Sequence, residues 1–333
     1  MAIGAGSTRR PTAKERQKLE GRLRRLDRAD QLRHIAEIYE KMPRRYAAEK
    51  LVIRSGFSFR DDVPFTDASD RSAPPPEQRP SATRLVTSRG SALRFALTVL
   101  AVIQANRKVG TKARLSELQL PVAGRFQVTG WSDLVAADSV DSRGVNNLLA
   151  AGDKRARGVR NALDTLEAAG VVDIGLPVGS RGRYENFEML NEVGRDVLGN
   201  TEPYTVPRSG EATFSLPAGF VRNGWLHVLE DSEIAIVLMI ACGKSALRDG
   251  RFLAFEGQVR LRNYGIHRDS FSAARKTLEW FGLLEVHEVE RHHDGRAERA
   301  ETRLHRLRLR LDGFDDPGPD TVLDALRSQV GRG

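Results

Sequence analysis

In each half of the chain, apolar positions recur at helical spacing and then give way to an extended run. In the first half Val159, Ala162 and Leu166 share one helix face, Gly170 follows, and Val171-Val172 begins the extended stretch. In the second half Phe271, Ala274 and Leu278 do the same ahead of Gly282 and Leu283-Leu284. Both copies carry Thr-Leu-Glu-x-x-Gly, at Thr165 to Gly170 and at Thr277 to Gly282. Spacings of three and four residues stack side chains on one face, and a glycine placed next tolerates the left-handed conformation that stops a helix. Each copy therefore predicts a helix, a glycine stop and a strand.

The surroundings extend both predictions. Ahead of the first copy, Ser91 can cap a helix over 91–108 whose Leu93, Leu97, Leu100 and Ile103 are helically spaced. Val145, Leu148 and Leu149 predict a short helix that stops at Gly152, after which Asp153 caps the helix over 154–169. Strands at 171–176 and 184–190 then enclose a turn, 177–183, that contains Arg181 and Arg183. Around the second copy the pattern predicts helices over 232–247, 255–264 and 268–281, with Gly265-Ile266-His267 as the turn before the last. A hairpin follows, with strands near 283–290 and 303–311. In its return strand Leu307, Leu309 and Leu311 alternate with Arg306, Arg308 and Arg310, which predicts one buried and one basic face.

Outside these modules the chain changes character. Residues 1–53 form a charged arm with Leu19, Leu23 and Leu26 on one helical face and Leu32, Ile35 and Tyr39 on another, suited to dimerisation, to phosphate contact or to packing on its own protein. Residues 54–90 are rich in Ser, Asp and Pro, including Ala73-Pro-Pro-Pro-Glu-Gln-Arg-Pro80, and predict a flexible linker. The expected domains are then 91–200 and 211–313, with a tail over 314–333.

Charge and chemistry narrow the function. The 333 residues carry 53 Lys+Arg against 44 Asp+Glu, a net charge of +9, which attracts polyanions. The single cysteine, Cys242, ends an apolar run and reads as a buried structural residue. No apolar run reaches the roughly 20 residues of a membrane span, and the N-terminus holds no secretory signal, so a cytoplasmic, nucleoid-associated protein is expected. Gly243-Lys244-Ser245 imitates the end of a phosphate-binding loop, but Leu238 stands where that loop needs glycine. His287, His292, His293 and His305 lack the spacing of a tetrahedral metal site. No nucleophile elbow or metalloprotease signature occurs, and the expectation is a non-enzyme without cofactor or metal.

The stretch Tyr264-Gly-Ile-His-Arg-Asp-Ser-Phe-Ser-Ala-Ala-Arg-Lys-Thr-Leu-Glu-Trp-Phe-Gly-Leu-Leu284 resembles the helix-turn-helix of bacterial winged-helix regulators, including the GntR-like type, and 148–172 is similar. Two unequal modules on one chain also resemble plasmid replication initiators of the Rep class. The expected fold is thus α+β, mainly α: two tandem winged helix-turn-helix domains behind an N-terminal helical arm. The expected function is sequence-specific binding of double-stranded DNA by two non-identical winged helices, as a transcriptional regulator or as an initiator at origin repeats, with a homodimer through the arm.

In such a module the outer face of the second helix meets bases and phosphates. The first module offers Lys154, Arg155, Arg157, Arg160 and Asn161, and its turn offers Arg181 and Arg183. The second offers His267, Arg268, Ser270, Ser272, Arg275 and Lys276, and its hairpin offers His293, Arg296 and Arg299. Arginine pairs bidentately with guanine and asparagine with adenine, so these side chains suit direct readout.

Overall fold

The computed structural model describes residues 11–27, 30–41, 49–61, 73–86, 91–124, 128–136, 142–144, 147–149, 151–195, 198–287 and 304–331. The first half holds helices α1 (Ala13–Asp27) and α2 (Asp30–Lys41), strand β1 (Lys50–Arg54), the short α3 (Ser81–Arg84) and α4 (Ala92–Asn106). The hairpin β2 (Ser142–Gly144) and β3 (Asn147–Leu149), helix α5 (Ala151–Ala168) and strands β4 (Val172–Asp173), β5 (Glu188–Met189) and β6 (Thr213–Pro217) come next. The remainder comprises α6 (Gly219–Arg222), α7 (Trp225–Val228), α8 (Asp231–Cys242), β7 (Leu247–Asp249), β8 (Phe252–Ala254), α9 (Gly257–Arg262), α10 (Arg268–Trp280), β9 (Leu284–His287), β10 (Arg306–Leu309) and α11 (Gly318–Gly331). The fold is α+β and mainly helical, and the sheets among the described residues are small and antiparallel. No described helix is long and apolar enough to cross a membrane.

Two helices that are apolar nearly all round form the centre. Leu93, Phe95, Leu97, Leu100 and Ile103 of α4 and every residue from Ile234 to Ile240 of α8 are buried. An all-apolar helix is stable only when covered on every side, and elements from both ends of the chain do the covering. One continuous apolar core results, running from Leu19 in α1 to Leu326 in α11.

The arm packs on its own protein, one of the three roles open to it, and the described part of the expected linker belongs to the same core. Leu19, Leu32, Ile35 and Tyr39 are buried within their own chain, and α1 packs along α11. The apolar face offered for dimerisation is therefore already covered. From α1, Arg22 donates two hydrogen bonds to the carboxylate of Glu233, at 2.6 and 2.8 Å, and a third to the Val228 carbonyl at 2.8 Å. Its guanidinium also lies 5.0 Å from the centre of the Phe281 ring. Glu233 in turn accepts the backbone N–H of Glu230 and closes the N-terminus of α8.

The end of the expected helical arm is instead strand β1, which pairs along its whole length with β6, Lys50 opposite Pro217 and Arg54 opposite Thr213. Its other edge meets the side-chain amide of Gln104, which accepts from Val52 N–H and donates to Val52 C=O. Arg54 then bridges the buried Glu192 at 2.8 Å and Glu211 at 2.6 Å. Further along the expected linker Ser81, Ala82 and Leu85 are buried, and the Ser81 hydroxyl donates to the Val193 carbonyl at 2.8 Å. Proline at 74, 75, 76 and 80 marks an extended, rigid path here, and the segment packs instead of swinging.

Other boundaries move for local reasons. The short helix expected around 145–149 is replaced by the β2–β3 hairpin, closed by the pair Gly144 and Asn147, both poor helix formers. Helix α5 starts at Ala151, so Asp153 lies in its first turn and Gly152 does not end a helix. Helix α8 stops at Gly243 (φ +58°) and leaves room for the β7–β8 hairpin, which the apolar pattern did not announce. Strand β10 ends at Leu309, leaving Leu311 half exposed where a buried position was expected.

If the Arg22 contact organises the arm, Arg22→Met should cost about 3–5 kcal/mol in denaturant unfolding, because Glu233 is left buried without its partner. Adding Glu233→Gln, which can still accept at the helix N-terminus, should return part of that loss. A surface-like change under about 0.5 kcal/mol would refute the role.

A second buried group responds to pH. Burial pushes the His227 imidazole down to about 3, helped by Arg94, and pushes the Asp231 carboxyl up to about 6 against the pull of Arg94 3.5 Å away. As pH falls through 6.5 the unfolded chain takes up a proton at residue 227 that the fold refuses, so stability is lost; Asp231 gains its proton in the fold below about 6 and works the other way. Between pH 7 and pH 5, wild type should lose about 2 kcal/mol relative to His227→Leu. Parallel stability curves for the two proteins would contradict this.

Candidate nucleic-acid interface

The two copies of the repeated pattern adopt the same local structure. Val159, Ala162 and Leu166 of α5 are buried, as are Phe271, Ala274 and Leu278 of α10. At the end of α5, Gly170 (φ +73°) and Val171 donate to Glu167 and Leu166 at 2.9 Å each. At the end of α10, Gly282 (φ +74°) and Leu283 donate to Glu279 and Leu278 at 3.0 Å each. These paired bonds satisfy the last carbonyls of each helix and turn the chain into β4 or β9.

Around α10 the elements follow in the order α8, β7, β8, α9, α10, β9, β10, and the sheet order is β7-β8-β10-β9. The return strand β10 thus lies between β8 and β9, with Leu307 opposite Leu253 on one side and Val286 on the other. Around α5 the match is less complete. Strands β4 and β5 pair over two residues each, and the short turn Trp131–Asp133 packs against α5 where a preceding helix was expected. Trp131 anchors that turn by edge contact with Phe95, ring centres 5.8 Å apart.

The turn before α10 is held from outside. Ile266 donates to the Arg260 carbonyl at 3.0 Å, and Gly265 takes φ +69°. A methyl group on Gly265 would lie 2.6 Å from the Thr83 hydroxyl and 3.2 Å from Arg79. The same segment reaches the other copy, since Arg84 donates to the Ala169 carbonyl beyond α5 at 3.2 Å. Residues 79–84 therefore wedge between the start of one patterned helix and the end of the other.

On this frame the expected site residues divide. In α5, Arg157, Arg160 and Asn161 are exposed along one stripe. Lys154 and Arg155 are half-buried, and Arg155 lies 3.9 Å from Asp133. In the following turn Arg181 is exposed, but Arg183 folds back onto α5, 2.8 Å from Asp164 and 2.5 Å from Glu167. With 7% exposure it braces the turn, and its expected place on the outer surface is corrected. In α10, His267, Arg268, Ser270 and Ser272 are exposed around the first turns. Arg275 is 6% exposed and belongs to the interior, a second correction. It stands one turn from Phe271 and shares that residue's inward side. Lys276 is half-buried, 3.9 Å from Glu15 of α1. His293, Arg296 and Arg299 lie outside the described residues.

The basic face of β10 is also partly neutralised. Arg306 lies 2.6 Å from Asp249, Arg308 pairs with the directly opposite Glu285, and Arg310 lies 3.0 Å from Asp312. Sequence reading missed Arg260, which stacks its guanidinium 4.8 Å from the centre of the Phe271 ring beside Arg268.

Two glycines with φ near +70°, Gly265 in the turn and Gly282 at the end of α10, offer an internal control for the wedge. Gly265→Ala should cost about 1–3 kcal/mol through left-handed strain and the close approach of Thr83. Gly282→Ala has equal strain but open space, and should cost about 1 kcal/mol. Equal losses would mean that the 79–83 segment does not press on the turn. No protein-family model matches this chain, and no curated protein or solved structure matches it either.

Proposed function

We propose that this chain is a sequence-specific double-stranded DNA-binding protein that reads DNA with two non-identical winged helices and acts as a transcriptional regulator. The observation that carries the reading is the arrangement around α10: a helix, the β7–β8 hairpin, two helices and a second hairpin whose return strand β10 lies between β8 and β9. This order supports a winged-helix reading, with β7 as an added edge strand, and Arg268, Ser270 and Ser272 are exposed on the helix that would enter a major groove. The Arg157, Arg160 and Asn161 stripe on α5 supplies the second, weaker module, with residue types suited to guanine and adenine. The net charge of +9 favours the same partner.

Both helices are built into one core, which supports reading of a non-palindromic site by a single chain. That feature also favours a second reading, an initiator bound at origin repeats. Repeated sites beside a replication origin would select the initiator, and single promoter sites the regulator.

Binding is tested by selecting a preferred duplex and titrating variants on it. Arg157→Ala and Arg268→Ala should each cost about 1–3 kcal/mol and relax preference at the bases they meet. Arg183→Ala and Arg275→Ala should instead lower the unfolding midpoint, since both side chains are buried. A double Arg157/Arg268 variant that binds the selected duplex as tightly as wild type refutes the proposal.

A further inference from the structure

Helix α1 is held to the body by one side and turns the other to solvent. Leu19 and Arg22 are buried, whereas Lys14, Gln17, Lys18, Arg24 and Arg25 are exposed. At 3.6 residues per turn those five fall within a stripe about a third of the circumference wide, with Gly21 near its middle. Glu15 and Glu20 lie beside the stripe, Glu15 on the side that meets α10 and Glu20 half-buried on the other. Arg25 lies 3.4 Å from Glu230, but Lys14, Lys18 and Arg24 make no ion pair among the described residues. Like charges one turn apart on a helix repel, so Lys14 and Lys18 weaken α1 unless an anion lies across them. Gly21 adds a second cost. Glycine is a poor helix former, and packing does not require it here, because an added methyl group would meet only the far end of Arg25, at 4.0 Å. Bare backbone between cations leaves a saddle in which another backbone can lie close.

The stripe borders the face assigned to bases. On α10, Lys276 follows Arg268 and Ser272 at four-residue steps, and it lies 3.9 Å from Glu15, while Arg22 reaches Phe281 further along. The two contacts fall in the same order along both helices, so α1 lies alongside α10. A major groove is about 12 Å wide, and an element beside the helix that enters it meets the phosphates at the rim. We infer that the outer stripe of α1 seats one phosphate strand of the bound duplex, which passes over Gly21 with Lys14, Lys18 and Arg24 on its oxygens. The contact rests on the DNA-binding reading and adds to it a sequence-independent hold that fixes where the duplex lies.

The test is fluorescence anisotropy of the full chain on a selected duplex and on a scrambled one, over a series of salt concentrations. The triple variant Lys14→Gln/Lys18→Gln/Arg24→Gln should weaken both duplexes by the same factor, at least about tenfold at about 0.1 M salt, and make the log–log salt slope shallower by about two to three. Its three side chains are exposed, so the unfolding midpoint should hold. Gly21→Ala should raise the unfolding midpoint and still weaken both duplexes, a pairing of signs that a packing role does not give. A triple variant with wild-type affinity and slope, or a Gly21→Ala protein that binds undiminished, overturns the inference while DNA binding stands. So does a loss confined to the selected duplex, which assigns the stripe to bases. Vesicles of phosphatidylcholine and phosphatidylglycerol that retain wild type but not the triple variant, with equal duplex binding by both, assign the stripe to a membrane surface and also overturn it. No duplex binding by wild type removes the proposed function, and the inference with it.

Discussion

The buried pair of Arg22 and Glu233 is the constraint on which the arrangement of this chain depends. A guanidinium and a carboxylate removed from water each forfeit several kcal/mol of hydration, which is recovered only when geometry is good and the remaining donors are satisfied. Here both conditions hold: the contact is bidentate, the Val228 carbonyl takes another N–H, and Glu233 also accepts at the head of α8. With Phe281 stacked beneath the guanidinium, one side chain from α1 fixes the start of α8 against the end of α10. Arg54 repeats the device at the other side of the molecule, joining β1 to Glu192 and Glu211. Segments that composition would leave loose are held by charge as well as by apolar packing.

How much of this was legible follows from which forces act locally. The helices α4, α5, α8 and α10 and the glycine stops were visible, because periodicity and backbone freedom at Gly170 and Gly282 are properties of a few neighbouring residues. The pairing of β1 with β6 was not, because Leu51 and Ile53 gain their buried positions from residues more than a hundred places away. The stretch around Val145 to Leu149 has apolar spacing that fits a helix, yet Gly144 and Asn147 favour a tight reversal, and local backbone preference outweighed three apolar side chains. The proline-rich 73–80 run was read as a flexible linker; that it packs depended on Ser81 and Leu85 finding Val193 and the core.

The interface was legible in type more than in membership. A sequence displays its arginines but not their partners. Arg157, Arg160 and Arg268 stay exposed, whereas Arg183 meets Asp164 and Glu167 on a helix it was expected to extend beyond. The alternation in β10 located the buried Leu307 well and overstated the basic face, because Glu285 sits in cross-strand register with Arg308. Surface charge in this molecule is therefore patchy: acids meet Arg183, Arg306, Arg308 and Arg310, while Arg157, Arg160 and Arg268 stay exposed.

The reach of the Arg22 contact has a consequence for biosynthesis. Arg22 and Glu233 are separated by 211 residues, and β1 likewise waits for β6. At the usual pace of translation that interval is roughly 10–40 s, during which the arm emerges with its leucines uncovered and no partner yet made. The molecule cannot close from its N-terminus as it leaves the ribosome. The arm therefore waits for α8, α10 and α11, and its leucines must be shielded by its own charge, by chaperones or by both until those helices appear.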